Sequence, residues 1–450
     1  MRFNTLNEWL DWQFSLHPRK MELGLTRIRT VAQRLNLLPP LFSVITVAGT
    51  NGKGSSVIML DAILTAAGFR VGRFISPHVF RYNERICVAN QEASDSQLCH
   101  VFQLIEEVRD DISLTFFEFC TLAAMLVFQQ EQVDIAVLEV GLGGRLDAVN
   151  IFDAEIALIT TIDIDHVDWL GDNREQIGLE KAGILRAHRP AVCVDANPPQ
   201  SLIQYAEQLE TPLYCLGRDF SYQKNQPIDS NQTWNWRCHQ ANDLPNHEKL
   251  CQNLVDNNSF QIAPFYTDLP LPYLPGDFQL QNAAGVLTVI TLLNQAKKHL
   301  RVSEQAIHQG LKNAKLPGRF QCLPGKIIRI FDVAHNPLGA QVLAQSLHQH
   351  PCQGKTHVVM GMLENKDIAG FLKNMHGIEQ WYVAPLNVGR SATAQCLVEH
   401  LLALGAANIS SYISITFAYQ QALSQAGEGD RIVITGSFHS VSEVLLAELK

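Results

Sequence analysis

At 450 residues, with 46% hydrophobic and 18% charged residues, the chain has the make-up of a globular enzyme with a large core, and a length of this order predicts two domains. Its formal charge of −9 argues against a nucleic-acid binder, which shows a basic face, and no apolar run is long enough to predict a membrane span. The N-terminal stretch lacks the apolar core of a signal peptide, and ten scattered cysteines without a CxxC pair suggest neither a disulfide framework nor a zinc site. A reducing cytoplasm fits best, and a monomer is expected because no extra apolar patch marks an interface.

The first two-thirds alternates short apolar runs with helical patterns, as a mostly parallel sheet with covering helices does. Val44-Ile45-Thr46-Val47 predicts a buried strand over Ser43–Ala48. Gly49-Thr50-Asn51-Gly52-Lys53-Gly54-Ser55-Ser56 follows, then the apolar spacing of a helix that ends at Ala67 with Gly68 as its cap. Strand, glycine-rich loop with Lys and Ser, then helix is the setting of a phosphate loop. Its backbone N–H groups close around phosphate oxygens, and the helix N-terminus adds partial positive charge. Lys53 would reach the outer phosphates, and Ser55 or Ser56 would hold Mg²⁺. Gly54 between Lys53 and Ser55 departs from the usual GxxxxGK[ST] spacing. A glycine-rich turn without nucleotide is the bland alternative, and the lysine and the strand-to-helix context weigh against it. A nucleoside triphosphate is the expected ligand.

Further strands are predicted over Val71–Ile75, Asp134–Val140, Ile156–Thr161 and Ala191–Val194. Ser76 ends the first of these and offers a hard oxygen. Glu139 ends the next, where open α/β sheets place ligands, and can supply an oxygen to the Mg²⁺ of the nucleotide. Gly141-Leu142-Gly143-Gly144 lacks the GxGxxG spacing of a dinucleotide site. His166 lies among Asp163, Asp165 and Asp168 and fits either a metal ligand or a structural hydrogen-bonding group. Glu180-Lys181 is by itself an ordinary charged pair on a helix, of the kind usually solvated. From about Phe220 to Pro275 the texture turns polar and predicts a long, irregular surface excursion with some short strands. A second alternating unit begins after Leu316–Phe320, with Pro317-Gly318 as a hinge and strands over Ile327–Phe331, His357–Met360, Gln380–Val383 and Arg431–Thr435. Asp332 can accept from a ribose or adenine and His335 can contact substrate or phosphate, or the segment is a turn held by Asp332 and Asn336. Two α/β domains meeting at a cleft is the expected architecture.

The blocks VAGTNGKGS, ISPH, LEVGLGGRLDAVN, DHVDWLG, EKAGI, PGRF, DVAHNP and GSFHSV stand in order along the chain. Together they resemble the folylpolyglutamate synthase/dihydrofolate synthase family, within the wider group of Mur ligases. The resemblance runs from about residue 15 to the C-terminus and leaves only the 220–270 excursion unsupported. It implies a P-loop-type, mostly parallel sheet domain over 1–316, carrying the ATP and pterin sites, and a smaller Rossmann-like α/β domain over 317–450. It also implies an ATP-dependent amide ligation through an acyl phosphate, joining L-glutamate to dihydropteroate and to reduced folates. By the same resemblance Gly49 to Ser55 hold the phosphates, Ser76 and Glu139 hold a first Mg²⁺, and His166 and Lys181 hold a second. An ammonium has no lone pair for a metal, so the resemblance implies a carbamylated Lys181. Asn282 is implied to contact adenine, Arg319 the phosphates and Asp332 the nucleoside, and His335 stands as a further catalytic candidate. The segments matching the pterin site are Ser15-Leu16-His17-Pro18, Thr115-Phe116-Phe117-Glu118 and Leu146-Asp147-Ala148. Phe117 can stack on a flat ring and Asp147 can accept from its amino groups; plain core packing is the alternative for Phe116 and Phe117.

A monofunctional polyglutamate-adding ligase is the nearest alternative and differs only in the pterin pocket. A cell-wall Mur ligase is disfavoured by GLGGRLDAVN, and a non-catalytic nucleotide-binding protein would lose Lys53, Glu139, His166 or Lys181, all of which are present. ATP bound across both domains, with closure completing the site, is expected.

Overall fold

The computed structural model describes residues 2–19, 21–226, 232–239, 265–297 and 299–448. The chain separates into two compact units. The first comprises Met1–Ser76, Tyr82–Tyr273 and Gln279–Ala314; the second comprises Pro77–Arg81, Leu274–Phe278 and Lys315–Lys450.

The first unit is built on an eight-stranded sheet. Its strands are β1 (Ser43–Ala48), β2 (Val71–Phe74), β3 (Ile86–Val88), β4 (Gln91–Glu92), β5 (Ile135–Glu139), β6 (Ile156–Ile159), β7 (Ala191–Cys193) and β8 (Leu213–Cys215). They lie in the order β4-β3-β2-β5-β1-β6-β7-β8, parallel from β2 to β8, with β3 and β4 added antiparallel at one edge. Every residue of β5 and β6 is buried, because helices cover both faces of a parallel sheet and the central strands must be apolar throughout. The chain reverses direction across the sheet at β1, which pairs with β5 on one side and β6 on the other. Loops leaving the C-terminal ends of these strands therefore meet at one crevice.

The helix after β1 spans Lys53–Ala66 and ends as expected. Gly68 takes φ +91, its N–H donates to the Thr65 carbonyl, and the Phe69 N–H donates to the Leu64 carbonyl. Against this helix lies Glu304–Asn313, so closely that a side chain at Gly310 would place its Cβ 2.4 Å from the Ile63 Cα. The helix Phe278–Ala296 is buried almost all round.

The polar excursion is more regular than its texture predicts. β9 (Phe220–Lys224), β10 (Thr233–Cys238) and β11 (Phe265–Pro270) form an antiparallel sheet anchored by the buried Trp234 and Trp236. Residues 227–231 and 240–264 of the excursion lie outside the described residues.

The second unit has a six-stranded sheet of β12 (Gln321–Leu323), β13 (Ile328–Phe331), β14 (Thr356–Met360), β15 (Gln380–Val383), β16 (Ile409–Ser411) and β17 (Arg431–Thr435). The order is β12-β13-β17-β14-β15-β16, parallel except for β12. Apolar clusters cover both faces, one around Val358, Met360 and Val433 and the other around Val359, Ile432 and Ile434. This alternation is the one a sheet packed on both sides requires.

The nine cysteines among the described residues are all free, and those of the first unit are buried. No helix among the described residues is long and apolar enough to cross a membrane.

Candidate active site

Gly49 to Gly54 leave β1 at the middle of the sheet and enter the Lys53–Ala66 helix. Two glycines are required by space. A Cβ at Gly49 would fall 1.7 Å from the Thr160 Oγ1, and one at Gly52, which takes φ +91, would fall 2.5 Å from the Asn282 Oδ1. The loop is sewn to the segment that follows β6. The Thr50 N–H donates to the Thr161 carbonyl at 2.7 Å, the Thr50 hydroxyl donates to the Asp163 carbonyl at 2.9 Å, and the Asp163 N–H donates back to the Thr50 Oγ1 at 3.0 Å. Lys53 folds its ammonium onto the carbonyls of Gly49 and Thr50, at 2.9 and 3.1 Å. A cation held by two loop carbonyls is pre-aimed at whatever anion the loop encloses.

Glu139 is buried at the end of β5, in register with Val47, so its carboxylate stands beside the start of the loop. Its Oε2 accepts from the Ser76 N–H at 3.0 Å, which draws the end of β2 into the same place. Among the described residues no three His, Cys, Asp or Glu side chains converge as a closed metal cage. One carboxylate with a neighbouring hydroxyl is instead what Mg²⁺ takes when phosphate oxygens and water complete its shell, so Ser76 and Glu139 fit that ion. The two glycines let Thr160 and Asn282 pack against the loop, and the strand, loop and helix with Lys53 at the turn fit a nucleotide.

His166 lies just beyond, at φ +53, with its N–H bonded to the Asp165 carboxylate at 2.8 Å and its Nε2 3.9 Å from the Asp165 Oδ2. Lys181 is not the solvated helix lysine that its Glu180-Lys181 context suggests. It is 2% exposed, and burial, with Lys53 adding to the effect and Asp165 opposing it, pushes its amine down to about 7. Glu180 turns outward to Arg145, at 2.7 Å. Helix Arg174–Ala182 is gripped by the loop after β5, where the Arg145 N–H donates to the Glu180 carbonyl and a Cβ at Gly144 would lie 2.8 Å from that oxygen. The glycine run 141–144 thus serves close packing and opens no helix.

The three pterin-matching segments also meet. Phe14, beside Ser15 and Leu16 at the end of helix Leu6–Leu16, stacks on Phe116 with centroids 4.3 Å apart. Phe117 packs under Gly141, where a Cβ would sit 2.6 Å from its ring, and so touches the loop after β5 that leads to Leu146 and Asp147. Thr115 and Glu118 form a reciprocal helix cap, with Glu118 also 3.3 Å from Arg27. Asp147 caps the short turn Ala148–Ile151 and accepts from the N–H groups of Leu142 and Val149, at 2.9 and 3.0 Å. Burial pushes its acid up to about 7 against those bonds, and Lys53 is close enough to counter the shift. The Ser15 hydroxyl donates to the Trp12 carbonyl, and His17 and Pro18 follow as the chain leaves the helix, the His17 Nδ1 lying 3.0 Å from the Arg19 carbonyl.

In the second unit Asp332 is buried, accepts from the N–H groups of Phe320 and Ala334 at 2.8 Å each, and is pushed up by burial while Arg319 opposes the shift. The Arg319 guanidinium lies 5.2 Å over the Phe438 ring, and His335 packs on the same ring at 5.9 Å. The His335 Nδ1 meets the Val333 carbonyl at 2.9 Å, so that nitrogen carries the proton. Asn336 caps the helix Pro337–Gln349. Arg319 and His335 therefore pack on Phe438, with Asp332 near both charges, and Phe438 belongs to the GSFHSV block, to which the sequence assigned no role.

Gln279 was equally silent in the sequence. Fully buried in the first turn of the Phe278–Ala296 helix, it donates to the Ser55 Oγ at 3.2 Å and accepts from the Asn282 amide at 3.0 Å. Its only local signal is its place one helical turn before Asn282.

Known proteins resemble this chain over nearly its whole length. A model of the Mur ligase middle domain matches residues 47–290, and one of the Mur ligase, glutamate ligase domain matches residues 318–438. The dihydrofolate synthase/folylpolyglutamate synthase of Escherichia coli (strain K12) is 40% identical over 443 residues, spanning 98% of this chain and 95% of its own. The solved structure of E. coli FolC in complex with DHPP and ADP matches with a TM-score of 0.86 at 40% identity, over 99% of this chain and 98% of that one. A bifunctional folylpolyglutamate synthase/dihydrofolate synthase with Mn, AMPPNP and L-glutamate bound matches with a TM-score of 0.86 at 41% identity, over the same shares.

Proposed function

The chain belongs to the Mur ligases of the dihydrofolate synthase/folylpolyglutamate synthase family, and from that membership we propose that it joins L-glutamate to dihydropteroate and to reduced folates at the expense of ATP. The observation that carries the reading is the meeting of Lys53, Glu139, Ser76 and the buried Lys181 around one glycine loop.

A carboxylate is a poor acyl donor at neutral pH. One of its oxygens attacks the γ-phosphorus of ATP, the bond to ADP breaks, and the acyl phosphate has a good leaving group. The glutamate amine then attacks the acyl carbon, phosphate departs, and the nitrogen loses a proton to give the amide. The first step needs mainly alignment and charge neutralisation. Lys53 holds the outer phosphates against the loop N–H groups of Gly49, Thr50, Asn51, Gly52 and Gly54, with Ser55 at the head of the helix. Ser76 and Glu139 would hold Mg²⁺, which would supply charge neutralisation for the phosphates. Asn282 serves the nucleoside side of this loop, and in the second unit Arg319 and Asp332 are its nucleotide residues.

Lys181 and His166 are the proposed ligands of a second divalent cation, with Lys181 as its carbamate. Its burial favours that modification, because an amine neutral near pH 7 attacks CO₂, whereas an ammonium neither attacks nor ligates. Phe117 and Asp147 are proposed to receive the pterin ring, with Ser15, Leu16, His17, Pro18, Thr115, Phe116, Glu118, Leu146 and Ala148 forming its surroundings. His335 is proposed to act near the phosphates.

The test is ADP release with Mg²⁺-ATP and L-glutamate, with dihydropteroate and a reduced folate supplied separately. Turnover with both is expected. Turnover with the folate alone would leave a dedicated polyglutamylating ligase and remove Asp147 from the pterin site; turnover with neither overturns the assignment.

A further inference from the structure

The phosphate loop and the helix that carries Asn282 are far apart along the chain, and the buried Gln279, 224 residues from Ser55, bonds one to the other. Gln279 and Asn282 stand one turn apart and both face the loop. The Asn282 Nδ2 donates to the Gln279 Oε1 at 3.0 Å, and the Gln279 Nε2 donates to the Ser55 Oγ at 3.2 Å. All three side chains are buried, so losing one partner leaves a buried polar group to be satisfied at a cost. Asn282 in turn lies so near Gly52 that only the missing Cβ there admits its Oδ1.

The direction of these bonds has a chemical result. Ser55 accepts from Gln279, so its own proton must point elsewhere, and one lone pair is fixed toward the helix while the other stays available to a cation or donor. A residue able only to accept at position 279 would reverse this and turn the Ser55 proton toward the helix. We propose that Gln279 is a positioning residue. It fixes the Ser55 hydroxyl for the metal-nucleotide and holds Asn282 over Gly52, so that the nucleoside side and the phosphate side of the site are set by one amide. This inference rests on the nucleotide reading of the loop given above.

Gln279→Met keeps the side-chain length and the helix while removing both bonds, and Gln279→Ala repeats the test with the volume gone. For Gln279→Met, loss of the bonds at a buried site predicts that KM for ATP and the half-saturating Mg²⁺ rise about tenfold, with KM for L-glutamate unchanged. The melting temperature of the ligand-free protein should stay within a few degrees of the parent. Adding Asn282→Ala to Gln279→Met should cost clearly less than the two single effects combined, because the two share one interaction. Gln279→Glu should weaken ATP binding while shifting the Mg²⁺ requirement differently from Gln279→Met. A folded Gln279→Met protein whose KM for ATP lies within twofold of the parent overturns the proposal. So does a parallel rise of both substrate KM values, which would mark a general packing role. AMPPNP binding by calorimetry decides the matter independently of turnover. If the parent binds AMPPNP yet forms no amide, the functional reading fails while the binding comparison still judges Gln279.

Discussion

Replacing Lys181 by methionine removes the one buried amine beside the phosphate loop while keeping an unbranched side chain in its place. At pH 7 an ordinary lysine near 10.5 is neutral about once in three thousand molecules, whereas a lysine pushed down to about 7 is neutral about half the time. The fold thus raises the reactive form of this amine by about a thousandfold, and CO₂ can add to it at neutral pH. In carbon-13 bicarbonate the parent should show one protected carbamate resonance, and the Lys181→Met protein should lack it and have lost most of its ligase activity. A resonance that persists in the variant, or an active parent without one, refutes the reasoning. The same residue sets a pH signature in bicarbonate-free buffer. The folded chain binds the Lys181 proton more weakly than the unfolded chain, so stability rises with pH between about 7 and 10.5, by at most about 5 kcal/mol over that window. Lys181→Met should remove that rise in a denaturant series.

Gly52→Ala forces a side chain into φ +91 and onto Asn282, and should raise KM for ATP about tenfold or more through strain of about 1–3 kcal/mol; unchanged nucleotide affinity would count against the cradle. Gly310→Ala pushes on the Ile63 backbone and should lower stability by about 1–3 kcal/mol in urea unfolding, whereas a neutral effect would mean the two helices slide apart freely. Asp147→Asn should abolish use of dihydropteroate while AMPPNP binding is kept. The Asp147 acid is pushed up to about 7, so the folded chain holds its proton longer than the unfolded one and this group makes stability fall as pH rises from about 4 to 7. The variant lacks that fall, and a difference between parent and variant that is flat across this window contradicts the assignment.

Much of this site is legible because its residues sit where strands end. β1 and its helix follow from one apolar run and one glycine loop, Ser76 and Glu139 stand at or just past the ends of β2 and β5, and His166 lies in the acidic segment that follows β6. The short strands β3, β4, β8, β12 and β16, at or next to the sheet edges, have two or three residues each, too few for a periodic pattern to announce them. The burial of Lys181 has no local signal, because Glu180 beside it makes the pair look solvated and only the packed loop after β5 closes over it. Gln279 was invisible for a related reason: its value depends on Ser55, brought to it by the fold.

The distribution of thiols gives this chain a built-in way of reporting which half has opened. Among the described residues Cys87, Cys99, Cys120, Cys193, Cys215 and Cys238 are buried in the first unit, whereas Cys322 is exposed and Cys352 and Cys396 are half-buried in the second. Burial also pushes Cys87 up to about 11 and Cys238 up to about 12, which silences them as nucleophiles as well as hiding them. Among these nine described thiols, a reagent applied to the native protein will therefore mark Cys322 before the six buried ones. Any later label on those six buried thiols then counts the excursions in which the core around them comes apart, with no cysteine introduced for the purpose.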